Sequence, residues 1–135
     1  ANLVDMARAV DVIICITPGG PATKHLVNAD VMNALGPDGT LINVSRGSVV
    51  DEAAMVSALQ DGRLGYAALD VFEEEPKIPD ALKSMSNVVL LPHVGSATHQ
   101  TRAAMGNLVV DNLLSHLDTG RVVTPVPECA HLNTG

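Results

Sequence analysis

Asp11-Val12-Ile13-Ile14-Cys15-Ile16-Thr17 decides the fold. It is an apolar, largely β-branched run with no clean polar alternation, which is how a strand covered on both faces reads. It ends at Thr17-Pro18-Gly19-Gly20, a turn that cannot continue a strand. Similar runs follow at Thr40 to Val44, Gly65 to Val71 and Asn87 to Leu91. Helical patterns separate them. Asn28 reads as an N-cap, with Val31, Met32 and Leu35 on one face and Gly36-Pro37 as the stop. Asp51 opens a second helix carrying Met55, Val56 and Leu59, ending near Gly62. Strand and helix in alternation predict an α/β fold: a parallel sheet of about four strands with flanking helices.

Composition agrees. With 47% apolar residues, 17% charged and only Tyr66 and Phe72 aromatic, the chain builds its core from aliphatic side chains in layers. A net charge of −7 disfavours a nucleic-acid surface, which needs clustered cations. No stretch reaches the roughly 20 apolar residues of a membrane span, and no signal peptide is evident, so no membrane partner is expected and the reading is cytoplasmic. Cys15 lies in an apolar run and Cys129 in a polar tail, so no disulfide framework is expected. The histidines form no compact metal-ligand set.

A longer helix is predicted over about 98 to 117, with Gly120 beyond it and Met105, Leu108, Val109, Asn112 and Leu113 as a stripe. At about 30 Å it exceeds what a four-stranded sheet needs, so part of its face is expected to dock elsewhere. The segment Glu73 to Ser86 reads as a loop with at most a turn of helix, and the tail at 121–135 as extended. The chain is thus expected to be one domain, or one part of a larger domain. The start, running into a helical segment without Met, reads as that of an excised piece.

Ligands of open parallel sheets gather at the carboxyl ends of the strands. There stand Thr17-Pro18, Ser45-Arg46-Gly47, Asp70 followed by Glu75, and Pro92-His93-Val94-Gly95-Ser96. Alone, Arg46 reads equally as a surface partner of Asp51 or Glu52, Glu75 as part of a solvated acidic turn, and His93 as an ordinary loop histidine. At one sheet edge the three could divide the work of carbonyl reduction. Arg46 could grip a carboxylate and polarise the neighbouring carbonyl. His93 could carry the proton, and Glu75 beside it would favour the imidazolium and hold its orientation.

The segments Ile42-Asn43-Val44-Ser45-Arg46-Gly47, Asp70-Val71-Phe72-Glu73-Glu74-Glu75-Pro76 and Leu91-Pro92-His93-Val94-Gly95 closely resemble signatures of the D-isomer-specific 2-hydroxyacid dehydrogenases. The loop Thr17-Pro18 with Pro21-Ala22-Thr23 agrees with that family's preceding loop. The resemblance implies a catalytic set of Arg46, Glu75 and His93. It implies that Thr17, Pro18, Val44 and Ser45 line the cofactor cleft, that Asp70 contacts the nicotinamide end, and that Gly95 and Ser96 pass close to it, with Arg46 and His93 also near the cofactor. Formate dehydrogenases of similar fold carry Gln where Glu75 stands, which favours hydroxyacid chemistry here. The text Asn87 to Ser96 looks most like the glyoxylate, hydroxypyruvate and 2-ketogluconate reductases, implying NAD(P), with NADPH favoured, and a small 2-oxoacid as substrate. The long helix resembles the one that joins two domains and helps build a homodimer. The resemblance implies that residues 1–120 are the C-terminal part of an NAD(P)-binding Rossmann domain, a partial Rossmann-type sheet that lacks the first nucleotide-binding half.

The family's Gly-x-Gly-x-x-Gly loop is absent from the sequence, and Gly19-Gly20 has neither its spacing nor its following helix. Two further readings stand beside the enzyme: a nucleotide-sensing binding module of the same fold, as in corepressors that keep the triad, and an inactive fragment.

Overall fold

In a computed structural model, residues 2–133 are described. The chain divides into two compact units, Ala1–Gly95 and Ser96–Gly135.

In the first unit, α1 (Leu3–Ala7) precedes β1 (Val12–Cys15), followed by α2 (Ala29–Leu35), β2 (Thr40–Asn43), α3 (Glu52–Gln60), β3 (Tyr66–Leu69), α4 (Asp80–Ser84) and β4 (Val88–Leu90). The four strands form one parallel sheet in the order β1-β2-β3-β4. Its register aligns Ile14 with Ile42, Ile42 with Ala68 and Ala68 with Val89. Parallel neighbours require crossovers, and α2 and α3 supply them between the first three strands.

Helices α2 and α3 begin where short polar side chains satisfy first-turn amides. Asn28 Oδ1 accepts from Val31 N–H at 3.1 Å, and Asp51 Oδ1 accepts from Ala54 N–H at 3.0 Å. Each such cap contributes about 1 kcal/mol. The chain leaves α2 at Gly36, which the positive φ of 87° suits. Between Glu73 and Ser86 the only helix is α4, five residues long, as the Pro-broken sequence predicts.

The core lies on one side of the sheet. Ile13, Cys15, Leu41, Asn43, Ala67 and Leu69 point into it, against Met32 of α2 and Met55 and Leu59 of α3. Burial raises the Cys15 thiol to about 11, so this sulfur packs as a small apolar group. The opposite face corrects the expectation of strands covered on both sides. Val12, Ile14, Tyr66 and Val89 are each about half exposed. Apolar composition reveals that a strand can be buried twice, but covering the second face takes another element. No helix of the first unit covers these side chains.

In the second unit, α5 (His99–Thr119) starts at Thr98, whose Oγ1 accepts from Thr101 N–H at 3.1 Å. It stops at Gly120, in the left-handed region at φ 74°, whose N–H donates to the His116 carbonyl at 2.8 Å. Leu113, Leu114 and Leu117 of α5 are exposed. Asn112, read above as part of the apolar stripe, instead ties the tail: its Oδ1 accepts from Thr124 N–H at 2.9 Å. The tail is not extended throughout. Pro127–Asn133 winds into 3-10 turns, which Pro127 favours because its ring presets φ and it has no N–H to leave unpaired. Asn133 reaches back to both the N–H and the carbonyl of Val122, at 2.7 and 2.9 Å. Ala1 at the start and residues 134 and 135 of the expected tail lie outside the described residues.

Candidate functional site

The carboxyl ends of β1, β2 and β3, with the loop after β4, surround a cleft of about 990 Å³. Among the sequence-identified residues, Thr17, Pro18, Val44, Ser45, Arg46, Glu75 and His93 line it. Asp70 and Gly95 do not, and Ser96 belongs to the second unit.

Arg46 is set by the end of β2. Asn43, 1% exposed, donates from Nδ2 to the Arg46 carbonyl at 3.0 Å while its Oδ1 accepts from the N–H and the hydroxyl of Ser45, at 3.1 and 2.9 Å. A buried amide with its donor and acceptor both used fixes the chain path on either side of the arginine. The Arg46 guanidinium folds onto the Ser45 carbonyl at 2.6 Å, and among the described residues it has no ion pair with Asp51 or Glu52. Next to it, Gly47 lies against the main chain of Phe72. A Cβ there would come within 2.0 Å of the Phe72 carbonyl carbon and oxygen, so only glycine permits the approach.

Glu75 is held by two bonds. Its Oε1 accepts from Phe72 N–H at 3.0 Å, and its Oε2 meets Nδ1 of His93 at 2.8 Å. The bond to His93 is the main cause, and the Phe72 N–H the next, of a Glu75 carboxyl below its ordinary 4.5. The nearby charge of Arg46 adds to the lowering. An ionised carboxylate can only accept, so His93 presents a proton on Nδ1 and leaves Nε2 for chemistry.

His93 adopts φ 54°, in the left-handed region that costs most residues about 1–3 kcal/mol. The buried Asp70 carboxylate, 3% exposed, holds the chain just beyond it. Val94 N–H donates to one oxygen at 2.7 Å and Gly95 N–H to the other at 2.8 Å. Charge-assisted bonds of this length offset much of the backbone cost. Asp70 therefore grips the loop that carries the histidine, whereas the sequence reading assigns it to the nicotinamide end.

Sequence reasoning passed over Asn43, Phe72, Glu73 and His25 as individual contributors. A polar residue ending an otherwise apolar strand was the available signal for Asn43. For His25, whose Nε2 meets Oε1 of Glu73 at 2.9 Å, there was none, since the partners stand 48 residues apart.

One observation bears on a dinucleotide. Thr17 Oγ1 is buried with no hydrogen-bond partner among the described residues, at the point where β1 runs into the cleft. An unpaired hydroxyl costs free energy unless a group entering from the cleft satisfies it. With the apolar walls of Pro18 and Val44 beside it, this end of the cleft fits the flat, partly polar end of a nicotinamide cofactor.

Comparisons with known proteins place the chain in a family. Residues 1–95 match the family described as D-isomer specific 2-hydroxyacid dehydrogenase, NAD binding domain. The chain is 50% identical over 125 residues to hydroxyphenylpyruvate reductase of Plectranthus scutellarioides, a match covering 93% of this chain and 40% of that protein. With 2-ketogluconate reductase of Gluconobacter oxydans it shares 47% identity, again over 93% of the chain and 40% of the relative. The crystal structure of NADPH-dependent glyoxylate/hydroxypyruvate reductase from Sinorhizobium meliloti, in complex with NADP and malonate, superposes with a TM-score of 0.90. That protein is 60% identical, and the match covers 94% of this chain and 40% of it. The chain thus spans about 40% of the length of these relatives.

Proposed function

The chain belongs to the D-isomer-specific 2-hydroxyacid dehydrogenase family, matching its NAD-binding domain, and from that premise we propose that it is the catalytic half of a reductase of small 2-oxoacids. Glyoxylate and hydroxypyruvate are the substrates to test first. The observation that carries the reading is the 2.8 Å bond between Glu75 and His93 at the rim of a cleft that Arg46 also lines.

The roles follow from the atoms. Arg46 takes the substrate carboxylate in a two-pronged grip and draws electron density from the adjacent carbonyl. His93 donates the proton on Nε2 to the carbonyl oxygen, and the Glu75 carboxylate on Nδ1 holds the ring in that orientation as its charge changes. The nicotinamide, when bound, supplies the hydride. Thr17, Pro18, Val44 and Ser45 would hold its end of the dinucleotide. Asp70, with Gly95 and Ser96 after it, sets the loop beside that end. NADPH is the favoured cofactor, because the Sinorhizobium meliloti relative is described as NADPH-dependent.

No helix among the described residues is long and apolar enough to cross a membrane. A cytoplasmic homodimer is part of the proposal, with the exposed leucines of α5 as the surface for the second copy.

The test is steady-state turnover of the intact protein with glyoxylate and hydroxypyruvate, each with NADPH and NADH. Saturable turnover supports the reading. Its absence with every pair, alongside tight NADPH binding, would make the protein a nucleotide-sensing module instead.

A further inference from the structure

The turn Glu73-Glu74-Glu75 carries two imidazole–carboxylate pairs. One is Glu75 with His93; the other is Glu73 with His25, Oε1 to Nε2 at 2.9 Å. His25 is outside the cleft lining, yet it touches two of the segments that build the site and lies on the loop leading from a third. Its N–H donates to the Ser48 carbonyl at 2.8 Å, two residues past Arg46. Its ring holds Glu73, two residues before Glu75, and Nδ1 stands 3.9 Å from Asp51 Oδ2 at the start of α3. Its own chain is the loop leading from Thr17, and its φ of 50° is a conformation that non-glycine residues seldom keep unless the surroundings impose it.

The turn needs such a hold. Three adjacent carboxylates repel one another, and Glu52 adds a fourth, with its Oε2 accepting from Glu73 N–H at 3.2 Å. Burial, with the charges of Glu73 and Glu74 beside it, pushes the Glu52 carboxyl upward, so the crowding is felt. Phe72 N–H anchors Glu75 from one side only. A side-chain donor on Glu73 fixes the turn at its other end.

We infer that His25 is a positioning residue: by holding Glu73 it keeps the acidic turn in place and the Glu75 carboxylate seated on Nδ1 of His93. This rests on the roles proposed above for Glu75 and His93. It adds a residue from a distant loop to the set on which turnover depends, through no contact with substrate or cofactor.

The experiment uses the intact enzyme with His25→Ala, His25→Gln, Glu73→Gln and the double variant His25→Ala/Glu73→Gln. The glutamine amide nitrogen falls near the position of the imidazole Nε2, so His25→Gln keeps the donor. His25→Ala should lower kcat about tenfold while KM for the 2-oxoacid changes by less than about twofold, as loss of alignment in the transition state dictates. His25→Gln should restore most of it, and the double variant should be no worse than the worse single one, since both remove the same bond. Nitrogen NMR of labelled histidine should show the His93 Nδ1 hydrogen-bond signature weakened in His25→Ala and recovered in His25→Gln.

Wild-type kcat in His25→Ala, an additive double variant, or an unchanged His93 signature would overturn the inference. So would a loss that His25→Gln fails to recover, which would mark His25 as a packing residue only. If His25→Ala does not fold, the same readings on Glu73→Gln decide. If the wild-type protein shows no turnover, the proposed function falls, while the His93 signature still decides whether His25 holds the turn.

Discussion

Nδ1 of His93 and Oε2 of Glu75 stand 2.8 Å apart across 18 residues of sequence, and each is held in that position from behind. Glu75 is anchored by Phe72 N–H, and His93 by the grip of Asp70 on the next two amides. A proton donor aligned this way keeps one ring nitrogen occupied and the other free.

His93→Ala in the intact enzyme should lower kcat by about 10²–10⁴-fold, the ordinary worth of a positioned acid. Arg46→Ala should act mainly through a raised KM for the 2-oxoacid. Arg46→Lys should recover little of that loss, because an ammonium cannot make the paired grip. Steady-state kinetics on the three variants separates the roles, and full activity in the histidine variant would reject its assignment.

Glu75 sits below its ordinary 4.5, so between that value and its lowered one the folded protein binds fewer protons there than the unfolded chain. Stability therefore rises with pH across that window: the contribution is complete above 4.5 and is lost as pH falls through the lowered value. Glu75→Gln removes it. The gap in melting temperature between wild type and Glu75→Gln should be steady above 4.5 and close in acid. A gap that widened in acid would show the sign to be wrong.

Asp70→Asn places an NH2 group against an N–H that now donates to a carboxylate oxygen. With the site buried, the loss should be about 1–3 kcal/mol, read from thermal or urea unfolding. Because the same loop carries His93, kcat should fall as well. Unchanged unfolding would show that the two amides find other partners.

Gly47→Ala should destabilise the protein by at least about 1–3 kcal/mol, since the new methyl meets main-chain atoms of Phe72 that cannot swing aside. Relief would have to move Arg46 or the acidic turn, so KM and kcat should both suffer. A variant that melts and turns over like wild type would contradict the packing seen here.

The sequence by itself determined the elements whose signals are local. Asn28, Asp51, Thr98 and Gly120 cap helices because each makes its bond within three or four residues, and such bonds form wherever the chain goes. The parallel sheet was equally legible, since alternation of apolar runs with amphipathic helices leaves few other ways to bury them. Resemblance alone singled out Glu75 among three neighbouring glutamates. Only the tertiary structure decided which of them meets which imidazole, that Asp70 turns both oxygens onto the histidine loop, and that no helix of the first unit covers the second sheet face. These depend on contacts between residues 18 to 48 positions apart, and sheet register rather than local pattern sets those distances.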